Sequence, residues 1–146
     1  MAVPAIPDGF HSVTPYLVVH GATELIHFLK QAFEAVEYHR ATHPDDSIMD
    51  AQLQIGDSFV MLSEARDEFR PMPGRLHSYV DDADVVYQRA LQAGATSLRE
   101  PADEFYGDRS GIVQDMCGNH WWIATHKEDV PPDEMMRRQR ELSNSP

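Results

Sequence analysis

Residues 14–33 read TPYLVVHGATELIHFLKQAF, and residues 75–94 read RLHSYVDDADVVYQRALQAG. Each opens on a short apolar run, breaks, and continues with helical periodicity. In the first, Leu25, Phe28, Leu29 and Ala32 recur at the spacing of one face of an amphipathic helix. In the second the strand ends at Val80 and Asp82 is placed to cap a helix. Val85, Val86, Arg89 and Ala90 carry that helix on, and Gly94 stops it.

The segments that follow echo each other as well. VEYHRAT (36–42) and IMDAQLQI (48–55) are strand candidates in the first half, ATSLREP (95–101) and SGIVQDM (110–116) in the second. IGDSFVML turns on Gly56-Asp57, and CGNHWWIA on Gly118-Asn119, residue types that supply the positive φ of tight hairpins. The pattern is β-α-β-β-β used twice, an internal repeat of about 60 residues whose copies bury too little surface alone. The expected fold is therefore α+β in a single domain over 1–146, with module one about 12–63 and module two about 74–126. The charged, Pro-rich SEARDEFRPMPG links them. A C-terminal helix is expected about 131–142, with Asp133 and Glu134 in its first turn and arginines later, and the closing SNSP should fray.

Composition narrows the functional classes. With 24 acidic against 12 basic residues the formal charge is −12, which disfavours nucleic acid and anionic membrane surfaces and permits a cationic small molecule. No apolar run reaches the length of a membrane span, and MAVPAIPDGFHSV lacks the basic and apolar regions of a secretory signal. Cys117 is the sole cysteine, which fits a reducing compartment. These features lead us to expect a cytoplasmic location.

Trp121 and Trp122 are adjacent in a strand, so they cannot face the same core. Splitting the first and last strands of each half by parity gives one ordinary apolar face: Pro15, Leu17, Val19, Phe59, Met61, Leu76, Val80, Trp121 and Ile123. The other face carries Thr14, Tyr16 and Val18, then Ser58, Val60 and Leu62, then Arg75, His77 and Tyr79, then His120, Trp122 and Ala124. Aromatic rings mixed with a few donors are the chemistry of a ligand pocket.

TPYLVVHGATELIHFLKQAF, IMDAQLQIGDSFVMLSEA, LHSYVDDADVVYQRALQAGA and the closing EFYGDRSGIVQDMCGNHWWIATHKEDVPPDEMMRR together resemble the vicinal-oxygen-chelate superfamily. This is the glyoxalase, bleomycin-resistance and extradiol-dioxygenase group, and within it the chain is most similar to the PhnB-like branch. The resemblance implies two tandem βαβββ modules forming a cupped mixed sheet with helices on its outer face, assembled as a homodimer. Enzymes of the group hold a divalent metal with four His or Glu side chains, one from each of four strands. By register those positions fall here on Thr14, Val60, Arg75 and Trp122, none of which suits a divalent metal. His77 lies two residues beyond Arg75 on the same face, and Asp50 and Gln52 could add oxygens if their strand faces the cup. The chain departs from the branch at Glu34, where a helix-ending Gly is usual, and at Met116-Cys117, which replaces a Pro-aromatic pair.

The functional expectation is a metal-free small-molecule binder with an aromatic cup and no cofactor. Its ligand-binding residues would be Tyr16, Val60, Arg75, His77, Tyr79, Arg109 and Trp122. The alternative is an enzyme, either a metal-dependent lyase, isomerase or dioxygenase with a non-standard site around His77, or an acid–base catalyst using His77 and Tyr79. A third possibility is an interaction module whose cup is filled by a partner or by the tail, as in a dimer in which residues 131–142 plug it. His126 is expected to be structural or solvent-exposed, and Cys117 unreactive.

Overall fold

The computed structural model describes residues 2–144. Module one consists of strand Tyr16–Val19 (β1), helix Ala22–Phe33 (α1) and strands Val36–Thr42 (β2), Ile48–Ile55 (β3) and Ser58–Glu64 (β4). Module two repeats it with Arg75–Tyr79 (β5), Ala83–Gln92 (α2), Thr96–Asp103 (β6), Asp108–Gln114 (β7) and His120–His126 (β8); Pro132–Ser143 (α3) follows. The expected fraying at the C-terminus falls partly outside the described residues, because helix α3 retains Ser143 and positions 145–146 are not described.

Each module folds into its own four-stranded mixed sheet, ordered β1-β4-β3-β2 and β5-β8-β7-β6. The first strand of each runs parallel to the last, and the remaining pairs are antiparallel. Strands β1 and β5 are thus sheet edges, and a bridge between Val18 and Met72 ties the linker to β1. The two helices pack on each other and on one face of both sheets, so a single apolar cluster runs through both modules. Leu25, Ile26, Phe28, Leu29 and Ala32 bury the stripe expected of α1. Trp121, 2% exposed, lies 4.9 Å from the ring of Phe33 and joins module two to module one.

The repeat extends to how the helices begin. Helix α1 has no capping side chain of its own; its first N–H groups, at Gly21 and Ala22, donate to the Glu64 carboxylate at 3.1 and 3.0 Å. One repeat later, Thr125 Oγ1 accepts from Ala83 N at 2.8 Å, and Asp82 caps Val85 N. The last strand of each module therefore supplies a partner for the unsatisfied N–H groups of its helix. At its other end α1 stops on Glu34 in the left-handed region, φ 56°, a conformation that glycine adopts at less cost.

Two local expectations need correction. Val60 and Leu62 belong to the core, not to the second face, because β1 pairs with β4 so that Leu17 stands beside Leu62. Phe59 and Met61 take the other face, where Phe59 stacks on Phe10 at 4.2 Å. In an all-apolar run such as FVML, alternation carries no signal, and only pairing fixes which parity points inward. Helix α2 runs through Val85, Val86, Arg89 and Ala90 as expected, and it also buries Tyr87, whose hydroxyl is satisfied by Ser97 Oγ at 2.5 Å. Finally, Gly118-Asn119 is not a two-residue hairpin turn, since β7 ends at Gln114 and residues 115–119 form the connection.

That connection is built on Asp115, which is 2% exposed. Its carboxyl oxygens accept from the backbone N–H groups of Cys117 and Asn119, from Asn119 Nδ2 and from Trp121 Nε1 at 2.8–3.0 Å. Asn119, fully buried, then accepts from Gly74 N at 2.8 Å and so fixes the entry to β5. Asp115→Ala would orphan four donors, three of them buried, and should cost about 3 kcal/mol or more, against about 1–2 kcal/mol for Asp115→Asn. Denaturant melts of both variants measure the difference; equal losses would show that the acceptor geometry does not matter.

Candidate functional site

The face of sheet two turned away from the helices carries most of the residues singled out from the sequence. Register arranges them in rows across the strands. The rows from β5 through β8 to β7 read Arg75, His120, Gln114; then His77, Trp122, Ile112; then Tyr79, Ala124, Ser110. Along β5, Arg75, His77 and Tyr79 form an exposed stripe, with the His77 and Tyr79 rings 4.9 Å apart. Trp122 is half-buried next to it, while Ile112 and Ser110 close the floor. Tyr16 lies on the corresponding face of sheet one, beside Met61 and apart from this group.

Arg109 does not reach this face. It pairs with Thr125 on the helix side and forks onto Asp84 of α2 at 2.7 and 3.0 Å, with Asp103 at 3.3 Å. The hydrogen bonds to Asp84 and Asp103 hold the guanidinium firmly charged, and the same pairing lowers the Asp84 carboxyl below its usual range. Arg109 anchors β7 to α2. One residue of sequence separates a strand position facing ligand from one facing helix, and here parity places Asp108 on the open face instead.

Asp108 is the residue that the sequence reading missed. It is 3% exposed and holds two partners on the open face: the Tyr79 hydroxyl donates to Oδ2 at 2.8 Å, and His126 Nδ1 meets Oδ1 at 2.8 Å. His126 Nε2 meets Asp129 at 2.7 Å. With a carboxyl group at each ring nitrogen, the protonated imidazole is favoured, and hydrogen bonding to Asp108 and then Asp129 raises the His126 pKa above its ordinary value. The Tyr79 phenol is likewise pushed above its usual range, first by its hydrogen bond to Asp108 and then by burial. The spacing His126–Asp129 is visible in the sequence, but Asp108 enters the group only through the pairing of β7 with β8.

Other candidates fall outside the group. The Cys117 thiol is half-buried against the carbonyls of His20 and Gly21, and burial, with Asp115, Glu24 and Glu64 nearby, pushes its pKa up to about 12. It stays a thiol near neutral pH and is a poor nucleophile. Helix α3 buries none of its residues within the chain; Arg138 ties it to Glu128 and to the Phe105 carbonyl. An open cleft of about 850 Å³ lies between the β5 edge and the β3–β4 turn, bordered by His77 and Tyr79 and floored by Phe33, Leu76 and Trp121.

The positions expected to hold a metal do not carry metal-ligating side chains. Among the described residues no three His, Cys, Asp or Glu side chains come together as a metal site. The positions that the family's register points to hold Thr14, Arg75, Trp122 and either Val60 in the core or Met61 on the open face, a set unable to hold a hard or borderline divalent ion.

Two sheets of this topology over a shared helix layer define a tandem βαβββ fold, and comparison with known proteins places the chain in its family. It belongs to the Glyoxalase/Bleomycin resistance protein/Dioxygenase superfamily, whose profile it matches over residues 9–123. An uncharacterized protein of Mycobacterium bovis is 35% identical over 135 residues, covering 85% of this chain and 89% of its own. Among solved structures, TioX from Micromonospora sp. ML1 superposes with a TM-score of 0.69 at 20% identity, covering 80% of this chain and 98% of TioX. The PhnB protein from Bacillus cereus gives 0.63 at 15% identity, covering 79% and 99%. These two likenesses establish the fold.

The Asp108–His126 pairing has a pH signature. The folded protein holds the His126 proton more tightly than the unfolded chain. The stabilisation is therefore complete below the ordinary imidazole pKa of 6.5 and is lost as pH rises through the raised folded value. The melting-temperature gap between the wild type and His126→Asn should narrow from about pH 6 to about pH 9. Scanning calorimetry across that range reads it, and a gap that widens would contradict the pairing.

Proposed function

We propose that the protein binds a flat small molecule, without a metal or other cofactor, on the open face of sheet two. The observation that carries this reading is the cross-strand pair His77–Trp122, set between Arg75 and Tyr79 on a face with no metal-ligand cluster among the described residues. Indole and imidazole at the centre offer stacking area, and the polar side chains at the rim offer direction. The acidic charge of the chain adds a general preference for ligands that are not strongly anionic.

The binder acts as a homodimer in the cytoplasm and belongs to the PhnB-like branch. The sheet edge at β5 and the exposed rings of Tyr16 and Tyr79 support a second copy completing the cup, because free edges and aromatic patches are what an interface covers. Sedimentation velocity should give twice the chain mass at micromolar concentration; a monomer at all concentrations would refute the dimer. A second reading, acid–base catalysis by His77 and Tyr79, is favoured by the hydrogen-bonded chain from Tyr79 through Asp108 to His126.

Isothermal calorimetry against neutral and cationic planar aromatics tests the binding reading. At least one compound should bind, and Trp122→Ala should weaken it by about tenfold or more, the worth of one good stacking partner. Melting curves should not shift with Ni²⁺, Zn²⁺ or Mn²⁺. Silence across the panel, or a large stabilisation by one of these ions, would overturn the proposal.

A further inference from the structure

The two ends of the strip differ in charge and in hydrogen-bonding sense, and this difference describes the ligand more closely. Resting on the binding reading above, we infer that the strip selects an elongated flat aromatic with an anionic group at one end and an N–H or O–H donor at the other.

Three features of the strip lead there. Arg75, at the first position of β5, is exposed and makes no ion pair among the described residues, so its guanidinium is free to fork onto a carboxylate. In the middle row, His77 and Trp122 stand side by side and present ring surface. At the far end, Tyr79 has already committed its one proton to buried Asp108, and that carboxyl group is shared with His126. Its phenol oxygen therefore meets a ligand only as an acceptor.

The separation sets the length. Arg75 and Tyr79 are four residues apart on an extended strand, which is about 13 Å, close to the span of a two-ring aromatic with a substituent at each end. The same geometry corrects an inference from composition. The chain as a whole is strongly acidic, yet the one end of this strip that carries an unpaired charge is basic. A purely cationic ligand would satisfy Tyr79 and be repelled at Arg75, whereas a molecule with a carboxylate and an amine at opposite ends satisfies both.

Calorimetry with four related probes on the full chain tests this: an aminobiphenyl carboxylic acid, its methyl ester, its N,N-dimethylamino analogue, and unsubstituted biphenyl. The amino acid should bind about tenfold more tightly than either the ester or the dimethylamino compound, since each lost charged or buried hydrogen bond is worth about that factor. Arg75→Gln should abolish only the preference for acid over ester, and Tyr79→Phe only the preference for the N–H donor over the dimethylamine. Both side chains are exposed, so melting curves should confirm intact folds. Equal affinity for all four probes, lost on Trp122→Ala, would overturn the polar-ended ligand and leave the aromatic cup standing. Absence of binding by every probe would overturn both.

Discussion

The carboxyl group of Asp115, buried with four N–H donors around it, is the constraint on which the rest of the molecule depends. It closes the β7–β8 connection, orients Trp121 into the core and holds Asn119 where it can fix Gly74 at the start of β5. Trp121 then meets Phe33 of the first module. Next to it, Cys117 donates to the His20 carbonyl, so the same loop touches the turn into α1. Both modules are thereby registered against each other at one polar knot inside an apolar cluster. A fully satisfied buried network of this kind specifies a single arrangement, whereas apolar contacts alone would tolerate several.

Trp121 and Trp122 divide the consequences of that registration between them. With Trp121 pinned inward, alternation places Trp122 on the open face, and the parallel pairing of β5 with β8 brings His77 alongside it. The open face thus inherits its precision from the core. Its polar end follows the same logic: Asp108 is held in β7 by the ladder to β8, and from there it binds both Tyr79 and His126.

Much of this was legible in the chain. The tandem βαβββ repeat, the helix stripe of α1, the cap at Asp82, the Gly56-Asp57 hairpin and the C-terminal helix all rest on local periodicity and turn chemistry, and the structure contains each of them. The stripe Arg75, His77, Tyr79 and its neighbour Trp122 were also readable, since a polar-aromatic alternation in a strand announces an unusual face. Val60 was misplaced because its strand is apolar on both parities, and Arg109 because a candidate ligand arginine and an anchoring one look the same until a partner is seen. Asp108 gave no local sign, because its partners lie 29 and 18 positions away, whereas those of Asp115 lie only two to six positions on and its role was hidden by its burial.

The sequence by itself determined which segments are strands and helices, that they repeat, and that two of the strands carry an alternation of aromatic and basic groups. Those properties depend on residues a few positions apart, where the periods of helix and strand act directly. The tertiary structure alone decided which parity of β4 faces inward, that Glu64 and Thr125 cap the helices of their modules, and that Asp108 commits the Tyr79 proton. Each of those depends on strand pairing across the sheet, which brings distant residues within hydrogen-bonding reach and leaves no trace in the local pattern.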